Sequence, residues 1–220
     1  MLKIGVMLAG CGVFDGSEIH EAVLTLLALA EHQAEAVCIA PDMEQVHVIN
    51  HLTGEPAKEK RNVLVESARI ARGKIKNAQE VRGAGLDGII FPGGYGAVKN
   101  LCGFAFDGAA CDVHPEVARV AREIHEAGKP IGAICISPAL MACIFKNSKM
   151  TLTIGNDRET AAAIQSLGHT HQDRAVDDIC VDASQRMVTT PAYMLAQNIF
   201  EASQGIRRLT AEVLRMAGSR

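Results

Sequence analysis

The run Lys129-Pro130-Ile131-Gly132-Ala133-Ile134-Cys135-Ile136-Ser137-Pro138-Ala139-Leu140 decides the fold, because in it an apolar strand turns at a thiol into a helix. Residues 130–134 are a short apolar run next to turn residues, the pattern of a buried strand. Ser137 and Pro138 then supply a helix N-cap and a favoured first helical residue. Cys135 falls between them, just ahead of a helix N-terminus. Unpaired N–H groups and the positive end of the helix dipole there favour a thiolate, the form that attacks carbonyl carbon and reacts with oxidants. The arrangement has the logic of a strand-turn-helix nucleophile elbow with sulfur in place of a serine oxygen.

Working outward, apolar runs that end in turn residues alternate with segments of helical period. Strands are expected near 3–9, 36–40, 87–91 and 130–134, and helices near 18–32, 60–72, 115–127 and 138–145. Beyond them come Thr151-Leu152-Thr153-Ile154, a helix over 157–167, hairpin partners at 178–182 and 186–190, and a closing helix from about 192. This alternation predicts a parallel sheet covered on both faces. Two segments, 44–58 and 99–114, are too long to be minimal connections and are candidates to shape a binding site. In a doubly wound sheet ligands bind beyond the carboxyl ends of the strands. Gly10-Cys11-Gly12, Pro92-Gly93-Gly94-Tyr95-Gly96, Cys135 and Thr189-Thr190-Pro191-Ala192-Tyr193 all fall at such ends and are expected to converge on one crevice.

The 220 residues, 48% hydrophobic with a formal charge of -3, suit one large globular domain. No basic cluster is long enough to track a phosphate backbone, and a pI of about 6.2 argues against nucleic acid as the main partner. The N-terminus enters a strand-like run almost at once, without signal-peptide features, and no apolar stretch is long enough to span a bilayer. No membrane association and a cytoplasmic location are therefore expected. The seven cysteines include no C-x-x-C pair, so neither a disulfide framework nor a zinc site is expected; most read as small core residues.

The glycines of Pro92-Gly93-Gly94-Tyr95-Gly96 let backbone approach a ligand closely, and their N–H groups are candidates for an oxyanion hole beside Cys135. The loop is neither G-x-G-x-x-G nor a phosphate-binding loop. Glu18 and Glu21 lie three residues apart on the first helix, at the edge of the same crevice. Glu18 fits a capping box with Asp15 as N-cap. Glu21 precedes the apolar run Ala22-Val23-Leu24, which suggests a buried carboxyl with a raised pKa. Either is a candidate acid/base partner for the thiol, and His20 between them is expected to point elsewhere.

Taken together, Gly132 to Leu140, Pro92-Gly93-Gly94, the Glu-x-x-Glu on the first helix and Met187-Val188-Thr189-Thr190-Pro191 resemble the ThiJ/PfpI superfamily, related in fold to class I glutamine amidotransferases. Gly10 to Glu21, Val48 to Glu55 and Thr189 to Asn198 resemble its ElbB-like glyoxalase branch, associated with isoprenoid biosynthesis. The resemblance implies a three-layer α/β/α sandwich with a flavodoxin-like, mostly parallel sheet, residues 1–220 forming one domain. It also implies Cys135 as nucleophile, Glu21 or Glu18 beside it, and the backbone of Gly93, Gly94 and Ile136 toward the substrate oxygen. Many relatives carry a histidine directly after the cysteine or some twenty residues on. Here Ile136 and the segment Thr153 to Asp157 occupy those places, which argues against a hydrolytic Cys-His-acid triad. The implied activity is a cofactor-independent, metal-free conversion of small dicarbonyls such as glyoxal to glycolate, by a homodimer. A thiol-based stress sensor and an amidotransferase-like subunit are the competing readings.

Overall fold

The computed structural model describes residues 1–219. In chain order the strands and helices are β1 (Lys3–Met7), α1 (Ile19–Glu31), β2 (Glu35–Ala40), α2 (Val63–Ile70), β3 (Ile75–Asn77), β4 (Gly88–Phe91), α3 (Tyr95–Lys99), α4 (Phe104–Asp107) and α5 (Pro115–Glu126). There follow β5 (Ile131–Ile134), α6 (Ser137–Ile144), β6 (Thr151–Leu152), α7 (Arg158–Ser166), β7 (Thr170–His171), β8 (Cys180–Asp182), β9 (Met187–Thr190) and α8 (Ile199–Gly218).

Seven strands form one sheet in the order β3-β2-β1-β4-β5-β9-β8. All neighbours are parallel except β8 and β9, the expected hairpin. The central strands are buried on both faces, which is why they read as apolar runs rather than as an alternating pattern. Successive side chains still sort to opposite sides, as strand geometry demands. Ile4, Val6, Leu8, Ile90, Ile134 and Val188 pack with α1, α2 and α8. Met7, Ile89, Phe91, Ile131 and Met187 pack with α5, α6 and α7. The result is the three-layer α/β/α sandwich.

Several details differ from the sequence reading. Strand β3 was not expected: it is a three-residue edge strand, too short to show a periodicity. Thr151-Leu152 leaves the main sheet and pairs with β7 in a small second sheet. The closing helix begins at Ile199, capped by the Asn198 side chain, after a single 3-10 turn at Ala192–Met194. Segment 99–114 contains α4. Among the described residues no helix is long and apolar enough to cross a membrane.

The chain builds outward from β1 to β2 and β3, then returns to place β4, β5 and β9 on the other side. The carboxyl ends of β1 and β4 therefore flank a topological switch point, where a crevice opens. There α3 lies directly on the segment leading into α1, with Gly96 N–H donating to Gly16 O at 2.8 Å. A Cβ on Gly96 would sit 2.5 Å from Gly16 Cα and 2.6 Å from Ala9 O, both immovable backbone. Gly96→Ala is expected to lower unfolding stability by about 2–4 kcal/mol in urea titration, at the upper range of overpacking penalties. An unchanged midpoint would contradict this close packing.

Candidate functional site

At the end of β5 the backbone of Cys135 adopts a left-handed conformation, φ 62°. For a non-glycine residue this costs about 1–3 kcal/mol and must be held by its surroundings. Two bonds hold it. Cys135 N–H donates to Thr190 O at 2.9 Å, extending the β5–β9 ladder, and Ser137 Oγ donates to Pro92 O at 2.7 Å. Ser137 is thus not the N-cap expected from the sequence; Ile136 occupies that position, and the serine joins the elbow to the turn after β4.

That turn is joined in the same way to α1. Glu18 N–H donates to Gly93 O at 2.9 Å, and Tyr95 N–H donates to Val13 O at 2.8 Å. The N-cap of α1 is Glu18, whose carboxylate accepts from Glu21 N–H at 2.7 Å. Asp15, expected in that role, is buried and faces segment 44–58. It accepts from Ile49 N–H at 2.7 Å and lies 3.9 Å from His51. Segment 44–58 therefore braces the entry to α1 rather than lining the crevice.

One helical turn into α1, Glu21 is fully buried. Both of its carboxyl oxygens are held, by Gly93 N–H at 2.8 Å and by Tyr193 N–H at 3.2 Å, and the carboxyl group is hydrogen-bonded to Cys135. A Cβ on Gly93 would lie 2.5 Å from Cys135 Cβ, 3.0 Å from its Sγ and 2.6 Å from Glu21 Oε2, so glycine is what lets the three elements meet. Between the two candidate carboxylates, Glu21 touches the thiol, while Glu18 stands on the wall of the cavity above it.

Burial, helped by the charge of Glu18, pushes the Glu21 carboxyl from 4.5 up to about 8, against the pull of its hydrogen bonds. Burial and the same Glu21 charge raise the Cys135 thiol well above its ordinary range. The thiolate expected from the helix N-terminus is therefore not the resting state: desolvation and a like charge outweigh the N–H groups of Gly94 and Ile136 that favour it. Those two N–H groups flank the sulfur. Gly93 is different, since its N–H is occupied by Glu21 and is not free to act as an oxyanion donor.

Cys135 opens onto a cavity of about 660 Å³ walled by Tyr95, Phe104, Phe106, Tyr193 and Met194. Segment 99–114 supplies its aromatic side, as its length suggested. The carboxyl-bearing Glu18, Asp157 and Glu159 also line it. Neither a site role for Tyr193 nor a partner for His20 is evident from the sequence. The tyrosine hydroxyl lies 2.7 Å from His20 Nδ1 across 173 residues, with its backbone on Glu21. Its place at the end of the last parallel strand was the available signal. The strongest influences on Cys135 are burial, Glu21 and the backbone of Gly94 and Ile136, none of them a histidine. Among the described residues no cluster of side chains suited to a metal ion was found.

This parallel, doubly wound sheet is the fold of class I amidotransferase-like proteins, shared with structures of the DJ-1/ThiJ/PfpI superfamily. Drosophila melanogaster DJ-1beta shares this fold, with a TM-score of 0.57 and 15% identity over 98% of this chain and 95% of that one. Much nearer is the crystal structure of an isoprenoid biosynthesis protein with an amidotransferase-like domain from Ehrlichia chaffeensis. Its TM-score is 0.92 at 37% identity, covering 98% of this chain and 99% of that one. No family model matches the chain.

The ES1 protein homolog, mitochondrial, of Rattus norvegicus is 45% identical, covering 98% of this chain and 84% of the relative. The human glutamine amidotransferase-like class 1 domain-containing protein 3, mitochondrial, is 44% identical with the same coverage. The chain belongs to this ES1 family of class I glutamine amidotransferase-like proteins. These relatives, and the mitochondrial ES1 protein of Danio rerio at 32% identity, overturn the cytoplasmic location expected from the N-terminal sequence, since all three are named mitochondrial.

The raised Glu21 carboxyl has a thermodynamic consequence. Between pH 4.5 and about 8 the folded state keeps a proton that the unfolded state releases, so this group's contribution to stability is full below pH 4.5 and declines as pH rises through 8. Glu21→Gln is expected to remove a falling slope of about 1.4 kcal/mol per pH unit from urea midpoints measured between pH 5 and 8. An identical slope in the variant would show that Glu21 ionises normally.

Proposed function

We infer that the chain is a cofactor-independent glyoxalase-like enzyme that converts small dicarbonyls to hydroxy acids, glyoxal to glycolate. The observation that carries this reading is the contact of Cys135 with Glu21 at the foot of the cavity. As the Cys135 sulfur adds to an aldehyde carbon, the ionised Glu21 carboxylate takes the S–H proton, and the new alkoxide faces the Gly94 and Ile136 N–H groups. Glu21 hands that proton on to the alkoxide and, ionised again, moves a proton from the hemithioacetal carbon to the adjacent carbonyl carbon, by way of an enediol, leaving a thioester. Water hydrolyses the thioester, restores the thiol and releases glycolate. Atoms balance as glyoxal plus water giving glycolic acid.

The hydrolysis step needs a base besides Glu21, and the Tyr193–His20 pair beside the cavity suits that role. A water beside the thioester passes its proton to the Tyr193 hydroxyl while that hydroxyl donates to His20, 2.7 Å away, and the proton returns by the same path to the departing Cys135 sulfur. The carboxylates of the lining suit an uncharged substrate and favour departure of an anionic product. A sensor role for Cys135 is less well supported, because oxidation follows thiolate character and this thiol is held protonated.

Purified protein incubated with glyoxal is expected to form glycolate, and Cys135→Ala to form none. Full turnover in that variant would overturn the reading. Tyr193→Phe keeps the backbone bond to Glu21, so adduct formation should persist while release slows about a hundredfold, the effect of losing a general base. Intact-mass spectrometry would then find an adduct of one glyoxal mass accumulating on Cys135.

The pH profile provides a separate check. Only the ionised Glu21 accepts the thiol proton, so turnover should rise about tenfold from pH 7 to 9 with a midpoint near 8. Glu18→Gln removes the neighbouring negative charge and should move that midpoint down.

A further inference from the structure

Three cysteines outside the site gather in the packing between α6 and segment 99–114. Cys102, Cys111 and Cys143 are all buried, and the sulfurs of Cys111 and Cys143 stand 3.1 Å apart across 32 positions of chain. This is closer than two unbonded sulfurs ordinarily sit, and about 1 Å from the covalent distance of 2.03–2.05 Å. The Cys111 thiol donates to the Cys143 sulfur, while the Cys102 thiol beside them donates to Ala97 O at 3.6 Å. The cluster therefore holds two thiol sulfurs in direct contact, with no backbone movement needed to bring them together.

Its position relates it to the cavity. Cys111 directly follows the short 3-10 turn Gly108–Ala110, and the residues just before it, Phe104, Phe106 and Gly108, line the cavity. Cys143 lies on α6, the helix whose N-terminal end carries Cys135. One covalent bond between these sulfurs would fasten the cavity's aromatic wall to the helix of the elbow.

We propose that Cys111 and Cys143 are a redox-active dithiol that closes to a disulfide under mild peroxide and fixes this wall. The steps balance. The Cys111 sulfur attacks one peroxide oxygen as its thiol proton leaves, the O–O bond breaks, and the departing hydroxide takes up that proton, giving a sulfenic acid and water. The Cys143 sulfur then displaces the sulfenic oxygen as a second water, forming S–S. A dithiol such as dithiothreitol reverses it by exchange. Cys102, whose thiol is held by Ala97 O, stays reduced.

The test is thiol mapping of the full chain. After stoichiometric hydrogen peroxide, unfolding and alkylation, two of the seven cysteines should resist modification, and digestion should give a peptide joining Cys111 to Cys143. Dithiothreitol should return both. The oxidised protein should unfold at a higher temperature, since the bond closes a loop in the unfolded chain. Amide exchange over residues 104–110 should slow several-fold. Cys143→Ala and Cys111→Ser should each abolish the linked peptide, and repeating the experiment in Cys135→Ala should leave it intact. Recovery of every thiol, a bridge through Cys102, or oxidation confined to Cys135 would each overturn the proposal. The wild-type map decides between these outcomes even if a variant folds poorly.

Discussion

The buried carboxyl of Glu21 is the constraint around which the site is arranged. A carboxylate with no exposure to water requires partners for both oxygens. Here they come from two places far apart in the chain: the turn after β4, through Gly93, and the segment after β9, through Tyr193. Satisfying Glu21 therefore fixes α1 against the ends of two strands. Cys135, at the end of a third, is placed by the same contact. Ionising this group in the folded state costs about 5 kcal/mol more than in water, given its rise from 4.5 to about 8. That is comparable to the whole net stability of many domains, so the bonds to Glu21 matter for folding as well as for chemistry.

The sheet order makes this convergence possible. Because the chain reverses its direction of growth between β3 and β4, the segments leaving β1 and β4 part to opposite faces. The gap between them is filled by the lead-in to α1 from one side and by Pro92-Gly93-Gly94 from the other. The two long segments do different work there. Residues 44–58 brace Asp15 from outside, whereas 99–114 wall the cavity.

Much of this was legible in the sequence for a physical reason. Parallel strands covered on both faces must be apolar throughout, so β1, β4 and β5 stand out as runs, and the turn residues after them locate the crevice. Glu21 was legible for a related reason: an acid followed directly by an apolar helical run has little access to water. What sequence patterns do not carry is competition between bonds. Asp15 and Glu18 are both acids ahead of α1, and only the fold shows Asp15 taken by Ile49 while Glu18 caps the helix. Gly93 was expected to donate to a substrate oxygen, but its N–H meets Glu21 first. The Cys135 thiol was read from a local dipole, and the fold adds burial and a like charge that reverse its sign. The Tyr193–His20 contact joins residues 173 positions apart and has no local signature.

These corrections bear on how the site can work. A preformed thiolate would be reactive toward any oxidant or electrophile small enough to enter. A neutral thiol beside a carboxyl of raised pKa behaves differently: it becomes nucleophilic only as its proton leaves, and the burial that disfavours the Glu21 carboxylate also strengthens it as a base once formed. In the proposed reaction, proton transfer and bond formation are thereby tied to one event, and Gly94 and Ile136 would receive the charge that moves to oxygen. The left-handed backbone at Cys135 keeps the sulfur at that meeting point. A relaxed backbone at this position would swing it away from Glu21 and the turn after β4, so the strain of the elbow and the burial of the acid are two halves of one arrangement.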